Sequence, residues 1–333
     1  MRENQRIRLF EPRINQRLKN EVIKVLESNE WYSGTSKTVE RFERKMKDYL
    51  NCKHVVAVNS GTAALHLSCS LFEPTTVHTT ALSFVSTANT PLLAGHDIIF
   101  NDIYRDTLNI YPNYDGISLL VHFGGYPINR DSEYHTIIED CAHAMGSRLK
   151  SKNIKCFSFH AQKNLAMPSG GAIALYDDEH VDELRAKRWC GIEQKDGKRD
   201  VKGIGWNYVM NNVSAVCGIE QLRELDNHNA KRRYIAWWYN TELTMERMPF
   251  NTDCSYHLYW IIVPNRDEFR AKMDKLGIET GFHYPSIDRF SAFKEANIPT
   301  THYVSDHIVT LPIHPNMTQS DLDRVIKSAN SSV

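Results

Sequence analysis

The chain has 333 residues, which is too many for one small core and enough for two domains. Lys plus Arg and Asp plus Glu both number 40, so the formal net charge is zero, and binding to nucleic acid by phosphate neutralisation is excluded for lack of a basic excess. Hydrophobic residues at 41% and charged residues at 24% describe an ordinary globular chain. No apolar run approaches a membrane span, and the polar N-terminus lacks a signal-peptide core, so a cytoplasmic location is expected.

Seven cysteines stand at 52, 69, 141, 156, 190, 217 and 254. Their odd number, and the absence of any C-x-x-C pair, argue against a disulfide framework or a zinc site, so no metal is expected.

In chain order, two amphipathic helices come first. Leu18, Val22, Val25 and Leu26 share one face, and Val39, Phe42, Met46 and Tyr49 share another. Between them, Glu30 to Thr35 reads as a loop. From His54 to about Ile173 short apolar runs alternate with helical stretches: Val55–Val58, Ile98–Phe100, Leu119–Val121, Ile137–Ile138 and Gly170–Leu175. Continuous apolar strands with helical spacers predict an α/β fold with a mostly parallel sheet sandwiched by helices. A charged helix follows near Asp182–Arg188, then a polar stretch, Glu193–Asp200, that reads as a solvent loop. A long helix is predicted from about Val213 into the 240s, leading to a smaller α+β C-terminal domain. That domain should hold a strand over Tyr256–Val263, a helix bearing Phe269, Met273 and Leu276, and a last helix capped by Thr318 and Asp321. The boundary is placed between a large domain, 1–230, and a small one, 231–333, with the N-terminal arm packing on the latter.

Four segments carry possible chemistry. Asn59-Ser60-Gly61-Thr62-Ala63 follows a strand and starts a helix, so it either caps that helix or offers free N–H groups to a phosphate. Glu139-Asp140-Cys141-Ala142-His143 ends a strand at the carboxyl edge of the sheet, where ligands of open α/β sheets bind; Asp140 either caps the next helix or holds a ligand nitrogen protonated. Phe157-Ser158-Phe159-His160-Ala161-Gln162-Lys163 precedes a glycine turn at Gly170-Gly171. Lys163 there is either a solvated surface charge or a partly desolvated amine suited to Schiff-base chemistry. Gly205 to Asn212 shows only turn character and a helix start.

Taken in this order, the segments resemble the DegT/DnrJ/EryC1/StrS-type sugar aminotransferase family of fold-type-I pyridoxal-phosphate enzymes. The matching stretches are Val58–Leu67, Glu139–Ala144, Phe157–Asn164 and Gly170–Ala172, within a likeness that runs from Trp31 to Pro315. The resemblance implies pyridoxal phosphate as cofactor, held as a Schiff base by Lys163, with Asp140 on the pyridinium nitrogen. It implies that Ser60, Gly61, Thr62 and Ser158 bind the phosphate, that Phe84 stacks on the ring, and that His143 lies near the ring oxygen. Asn207 would reach the phosphate in a neighbouring subunit, which implies a homodimer with shared sites. His283 and Tyr284 match a segment near the sugar pocket. Glutamate as amino donor and a nucleotide-linked keto sugar as acceptor are implied likewise, with the freed Lys163 as general base and acid.

The sequence departs from the family pattern in three trims: a short segment before Phe157, no acidic residue before Gly170-Gly171, and a compact Phe72–Ala81. A sugar dehydratase of the same fold carries histidine where Lys163 stands, and a non-catalytic relative has no need of Lys163, Asp140 and Ser158 together. Both therefore rank behind transamination.

Overall fold

The computed structural model describes residues 6–32, 36–111, 115–130, 136–195 and 197–333. The chain opens with helices α1 (Gln16–Ser28) and α2 (Thr38–Leu50). It then alternates β1 (His54–Val58), α3 (Gly61–Cys69), β2 (Thr76–Thr80), α4 (Ser86–Leu93), β3 (Asp97–Asn101), β4 (Ile117–Val121), β5 (Thr136–Asp140), β6 (Ile154–Ser158) and β7 (Gly171–Leu175). After α5 (Val181–Arg188), β8 (Ile192–Lys195) and β9 (Lys198–Val201) comes the 31-residue helix α6 (Asn212–Glu242). The remainder is β10 (Glu246–Arg247), β11 (Tyr259–Ile262), α7 (Arg266–Lys275), α8 (Pro299–His307), β12 (Ile308–Leu311) and α9 (Gln319–Ser332).

Seven strands form one sheet in the order β1-β7-β6-β5-β4-β2-β3. All its pairings are parallel except those of β7, which runs antiparallel to both β1 and β6. Alternate side chains leave opposite faces of a strand, and the burial follows that rule. Val55, Ala57, Phe157, Ala172 and Ala174 pack with Phe42 and Met46 of α2 and with Ala215 and Ile219 of α6. Val56, Val58, Cys156, Ile173 and Leu175 face the other way, onto Ala64, Leu65 and Leu67 of α3 and Leu184 of α5. Each buried Val, Leu, Ile, Phe or Met among them contributes roughly 1.5–3 kcal/mol, which is why strands covered on both faces read as unbroken apolar runs.

A three-stranded antiparallel sheet, β10-β11-β12, forms the second layer with α7 and α9. We propose the domain boundary at 230/231, in the middle of α6. The cluster around Trp260 and Tyr259 also takes in Leu82, Leu120, Phe123 and Ile137, so packing is continuous across that boundary.

Several expectations change in detail. Glu193–Asp200 is a hairpin, not a loop: β8 and β9 pair antiparallel with Lys195 opposite Lys198, and Gly197 takes φ 76° at the turn. The Tyr256–Val263 strand shortens because Tyr256 has φ 47°, outside the extended region. Leu276 falls beyond the end of α7 and is exposed, and Leu26 on α1 is exposed also; on that helix only Leu18 and Val22 reach the core. Thr318 and Asp321 do form the capping box on α9. In the loop expected before α2, Ser33, Gly34 and Thr35 lie outside the described residues. All seven cysteines are free, and among the described residues no helix is long and apolar enough to cross a membrane.

The N-terminal arm, residues 6–13, lies across the C-terminal part of the chain. Ile7 bridges Ile278 in parallel, the Leu9 N–H donates to Glu279, and the backbone oxygens of Arg8 and Arg13 accept from His314 and Gln221.

Candidate active site

A cavity of about 410 Å³ opens at the carboxyl edge of the large sheet. Its walls are the start of α3, the end of β5, the segment after β6, and His283-Tyr284 from the small layer. Of the residues singled out in the sequence, it brings together Ser60, Gly61, Thr62, Phe84, Asp140, His143, Ser158, Lys163, His283 and Tyr284. Asn207 is not in this set. It is exposed, pairs through its backbone with Trp189, and accepts from the Asn59 side chain through its carbonyl.

The start of α3 has two uses. Ser60 is its N-cap, accepting from the Ala63 N–H at 3.0 Å, so the ordinary capping role is real. The N–H groups of Gly61 and Thr62 have no partner within the helix and lie at the positive end of its dipole, against the cavity. Glycine is required at 61: a Cβ there would sit 2.6 Å from the Ser158 Cβ. Gly61→Ala is therefore expected to push Ser158 aside and weaken binding of a phosphate-bearing ligand at least about tenfold, the scale of a 1–3 kcal/mol overpacking strain. Absorbance titration with the cofactor would read this, and unchanged affinity would rule out the phosphate role of this turn.

Asp140 ends β5, and its carboxylate is 4% exposed. It accepts from the Ala142 N–H at 3.0 Å and from the Thr87 hydroxyl at 2.9 Å, and Thr87 is in turn bonded to Ser83. Among the described residues no cation pairs with it within 4 Å. Burial pushes its pKa up, against the pull of those donors and of Lys163. A buried carboxylate in this condition is completed by a cationic ligand group. Thr87 and Ser83 stand within a stretch from which the sequence singled out only Phe84; two hydroxyls four residues apart, one before α4 and one on its first turn, facing a strand-end acid are the signal that points to them.

Lys163 lies half-buried in the turn after β6, and its ammonium is drawn down to about 8, by burial first and against the attraction of Asp140. The default of a solvated surface lysine does not hold. His143 accepts at Nδ1 from the Gly124 N–H at 3.3 Å, which places its proton on Nε2, 3.0 Å from the Tyr284 hydroxyl. The tyrosine oxygen accepts there and keeps its own proton free to donate to a bound group. Burial holds His143 well below its usual pKa and His283 down to about 4, so both are neutral at pH 7. His283 Nδ1 contacts the Thr310 hydroxyl at 2.8 Å, and Phe84 lies at the exposed mouth with its ring 6.3 Å from that of Tyr284.

The residue preceding Asp140 faces a second cluster, buried except at Asn153. Glu139 accepts from Ser151, from Asn153 at 2.7 Å and from His122 at 3.0 Å, with the Lys155 ammonium 3.7 Å away. Cys141 completes a His–Glu–Cys group of metal-like spacing, but the hydrogen bonds and the lysine already satisfy the carboxylate, so this is an ion-pair network.

Compared with known proteins, the sequence matches the DegT/DnrJ/EryC1/StrS aminotransferase family over residues 12–114 and 129–330. The chain belongs to that family. It is 28% identical to the uncharacterized protein MJ1066 of Methanocaldococcus jannaschii, over 97% of each chain. Its fold matches the sugar aminotransferase CalS13 from Micromonospora echinospora with a TM-score of 0.90 at 27% identity, covering 98% of this chain and 100% of that one. AtS13 from Actinomadura melliaura matches with a TM-score of 0.89 at 26% identity, covering 99% and 100%.

DegT/DnrJ/EryC1/StrS aminotransferases use pyridoxal phosphate, and the cavity fits that group on three counts. The Gly61–Ser158 contact leaves a backbone cradle where a Cβ would intrude, the Asp140 carboxylate has no cation within 4 Å among the described residues, and Lys163 has a lowered ammonium pKa at the same wall.

Proposed function

We propose that this family member is a pyridoxal-phosphate-dependent aminotransferase that moves the amino group of glutamate onto a keto group of a nucleotide-linked (deoxy)sugar. It would work as a cytoplasmic homodimer in which Asn207 of each subunit reaches toward the partner's cofactor phosphate. The observation that carries the reading is one cavity holding the Asp140 carboxylate, with no cation within 4 Å among the described residues, the depressed amine of Lys163 and the open N–H groups of Gly61 and Thr62.

Bound there, pyridoxal phosphate supplies a protonated pyridine ring that withdraws electrons from the carbon bearing the transferred amine. Gly61, Thr62 and Ser158 would hold its phosphate, Asp140 its ring nitrogen and Phe84 one face of its ring. Lys163 would anchor it covalently and, once displaced by the donor's amine, would act as base on the proton of the donor's α-carbon. With its pKa near 8, a usable fraction of the amine is uncharged at neutral pH, whereas at the ordinary value of 10.5 only about one in 10³ would be. Tyr284 offers its hydroxyl proton to the bound group, held in direction by His143. His283 and Tyr284 line the cavity on the side of the small layer and would meet the sugar. Lysine at 163, where the dehydratases of this fold carry histidine, favours transfer over dehydration.

The test is a single half-reaction. Full-length protein loaded with pyridoxal phosphate and mixed with glutamate should release 2-oxoglutarate in an amount matching the cofactor, with loss of the near-visible absorbance. If glutamate and a panel of other amino acids all release no oxo acid, the aminotransferase reading fails.

A further inference from the structure

We propose that His257 is the positioning residue of Lys163: its Nε2 accepts from the lysine amine and fixes where Nζ points, while Phe10 and His143 clamp the imidazole by its faces. The chemical purpose of this contact rests on the reading of Lys163 given above; the contact itself does not.

The geometry sets the roles. Nζ of Lys163 lies 3.5 Å from Nε2 of His257, a ring that is 3% exposed. The ammonium has only protons to give, so Nε2 must be the acceptor and the ring proton sits on Nδ1. Nδ1 is buried and has no hydrogen-bond partner among the described residues. A histidine of fixed direction ordinarily uses its second nitrogen to set its orientation. Here the faces do so instead: the Phe10 ring stacks at 5.6 Å and 20°, and His143 lies at 4.6 Å and 44°. An unpartnered buried N–H is tolerated where turning the ring would break a more valuable contact, and the contact broken would be the one to Lys163.

His257 does not take the lysine proton. The groups facing it are Lys163 from the turn after β6, His143 from the end of β5, Arg232 from α6 and His283 from the small layer, and none is a carboxylate. Burial and these neighbours hold it well below 6.5, while Lys163 stands at about 8, so at equilibrium the proton stays on the lysine. The imidazole is a neutral acceptor that favours the ammonium form and orients it. Nothing in the sequence marks it, because it stands alone among apolar neighbours in Tyr256-His257-Leu258-Tyr259.

Loss of the acceptor removes a contact made to the charged form, so the lysine pKa should fall. The test is pH-dependent trace acetylation of the full-length, cofactor-free protein, with the Lys163 peptide quantified by mass spectrometry. Wild type should show a midpoint near 8. His257→Phe and His257→Leu should each move it down by about one pH unit, roughly a tenfold gain in free amine at a fixed lower pH. His257→Gln, which keeps an acceptor oxygen near the place of Nε2, should stay within about 0.3 units of wild type. The two acceptor-free variants differ in bulk, so a folding failure in one leaves the other to decide. A Lys163 midpoint unchanged in both overturns the proposal even if they are less stable, and so does a Gln variant that shifts as far as they do. A shifted midpoint in a protein that yields no oxo acid from glutamate would keep the contact and remove the proposed reaction.

Discussion

Lys163→Ala is expected to lower amine transfer from glutamate by about 10⁴-fold or more, the upper range for loss of a positioned general base, with a covalent anchor lost as well. No neighbour can take over. Burial first, and then neighbouring positive charge, holds His257 and His143 well below 6.5, too weak as bases for a carbon acid. Asp140 is committed to Thr87 and the Ala142 N–H. The near-visible band of lysine-bound cofactor should vanish in the variant, and borohydride treatment should leave no mass adduct on the peptide bearing position 163. Activity within about tenfold of wild type, or a persisting adduct, would show that another amine does this work.

Glu139→Gln is expected to lower folding stability by about 3–5 kcal/mol, read by urea denaturation, without removing any group from the cavity. The reason lies one residue before the catalytic strand end. Lys155 is 1% exposed; its ammonium donates to the Ser151 carbonyl at 2.6 Å, lies over the Tyr176 ring at 4.4 Å, and has Glu139 as its charge partner. The isosteric amide keeps the volume and leaves that charge uncompensated in the core. Acid should act the same way on the wild type. Burial alone would raise the Glu139 pKa, but His122, Lys155 and Ser151 outweigh it and hold the carboxyl at about 2. A carboxyl depressed on folding stabilises the protein above its unfolded pKa of about 4.3, and that stability drains away as pH falls toward 2. The Gln variant should lack this acid limb. A variant as stable as wild type, with the same acid limb, would mean that the network contributes no net charge stabilisation.

These two carboxylates also show what sequence can and cannot reveal. Asp140 was legible because strand end, acid and following small residues are contiguous, and its surroundings in the fold follow from the carboxyl edge of a parallel sheet. Glu139 was not, because its partners come from His122 after β4 and from Ser151, Asn153 and Lys155 on the next strand and its approach. Lys155 also concealed β6: a lysine in the middle of a strand reads as exposed until its counter-charge is seen. β2 was concealed by the polar residues of Thr76-Val77-His78-Thr79-Thr80, of which His78, Thr79 and Thr80 are buried, as when Thr79 donates to the Leu119 carbonyl across the sheet at 2.9 Å. Leu119–Val121 and Val55–Val58 were plain because apolar side chains on both faces need no partner to be read. The hairpin at 192–201 had its signal in Asp196-Gly197, outweighed by the charge around it. His257 left none, being 94 residues from Lys163 in sequence.

The N-terminal arm gives the site a schedule. Leu9 bonds to Glu279 across 270 residues, and Arg8 to His314 across 306, so the arm cannot dock until both of those later positions have been made. Closing so long a loop adds little to its entropy, because the penalty grows only with the logarithm of length, but it cannot happen while the C-terminal half is still unmade. Phe10 arrives on His257 with that docking. The large sheet can therefore form first, while the cavity wall at His283-Tyr284 and the Phe10 contact that steadies His257 wait for the later segments of the chain.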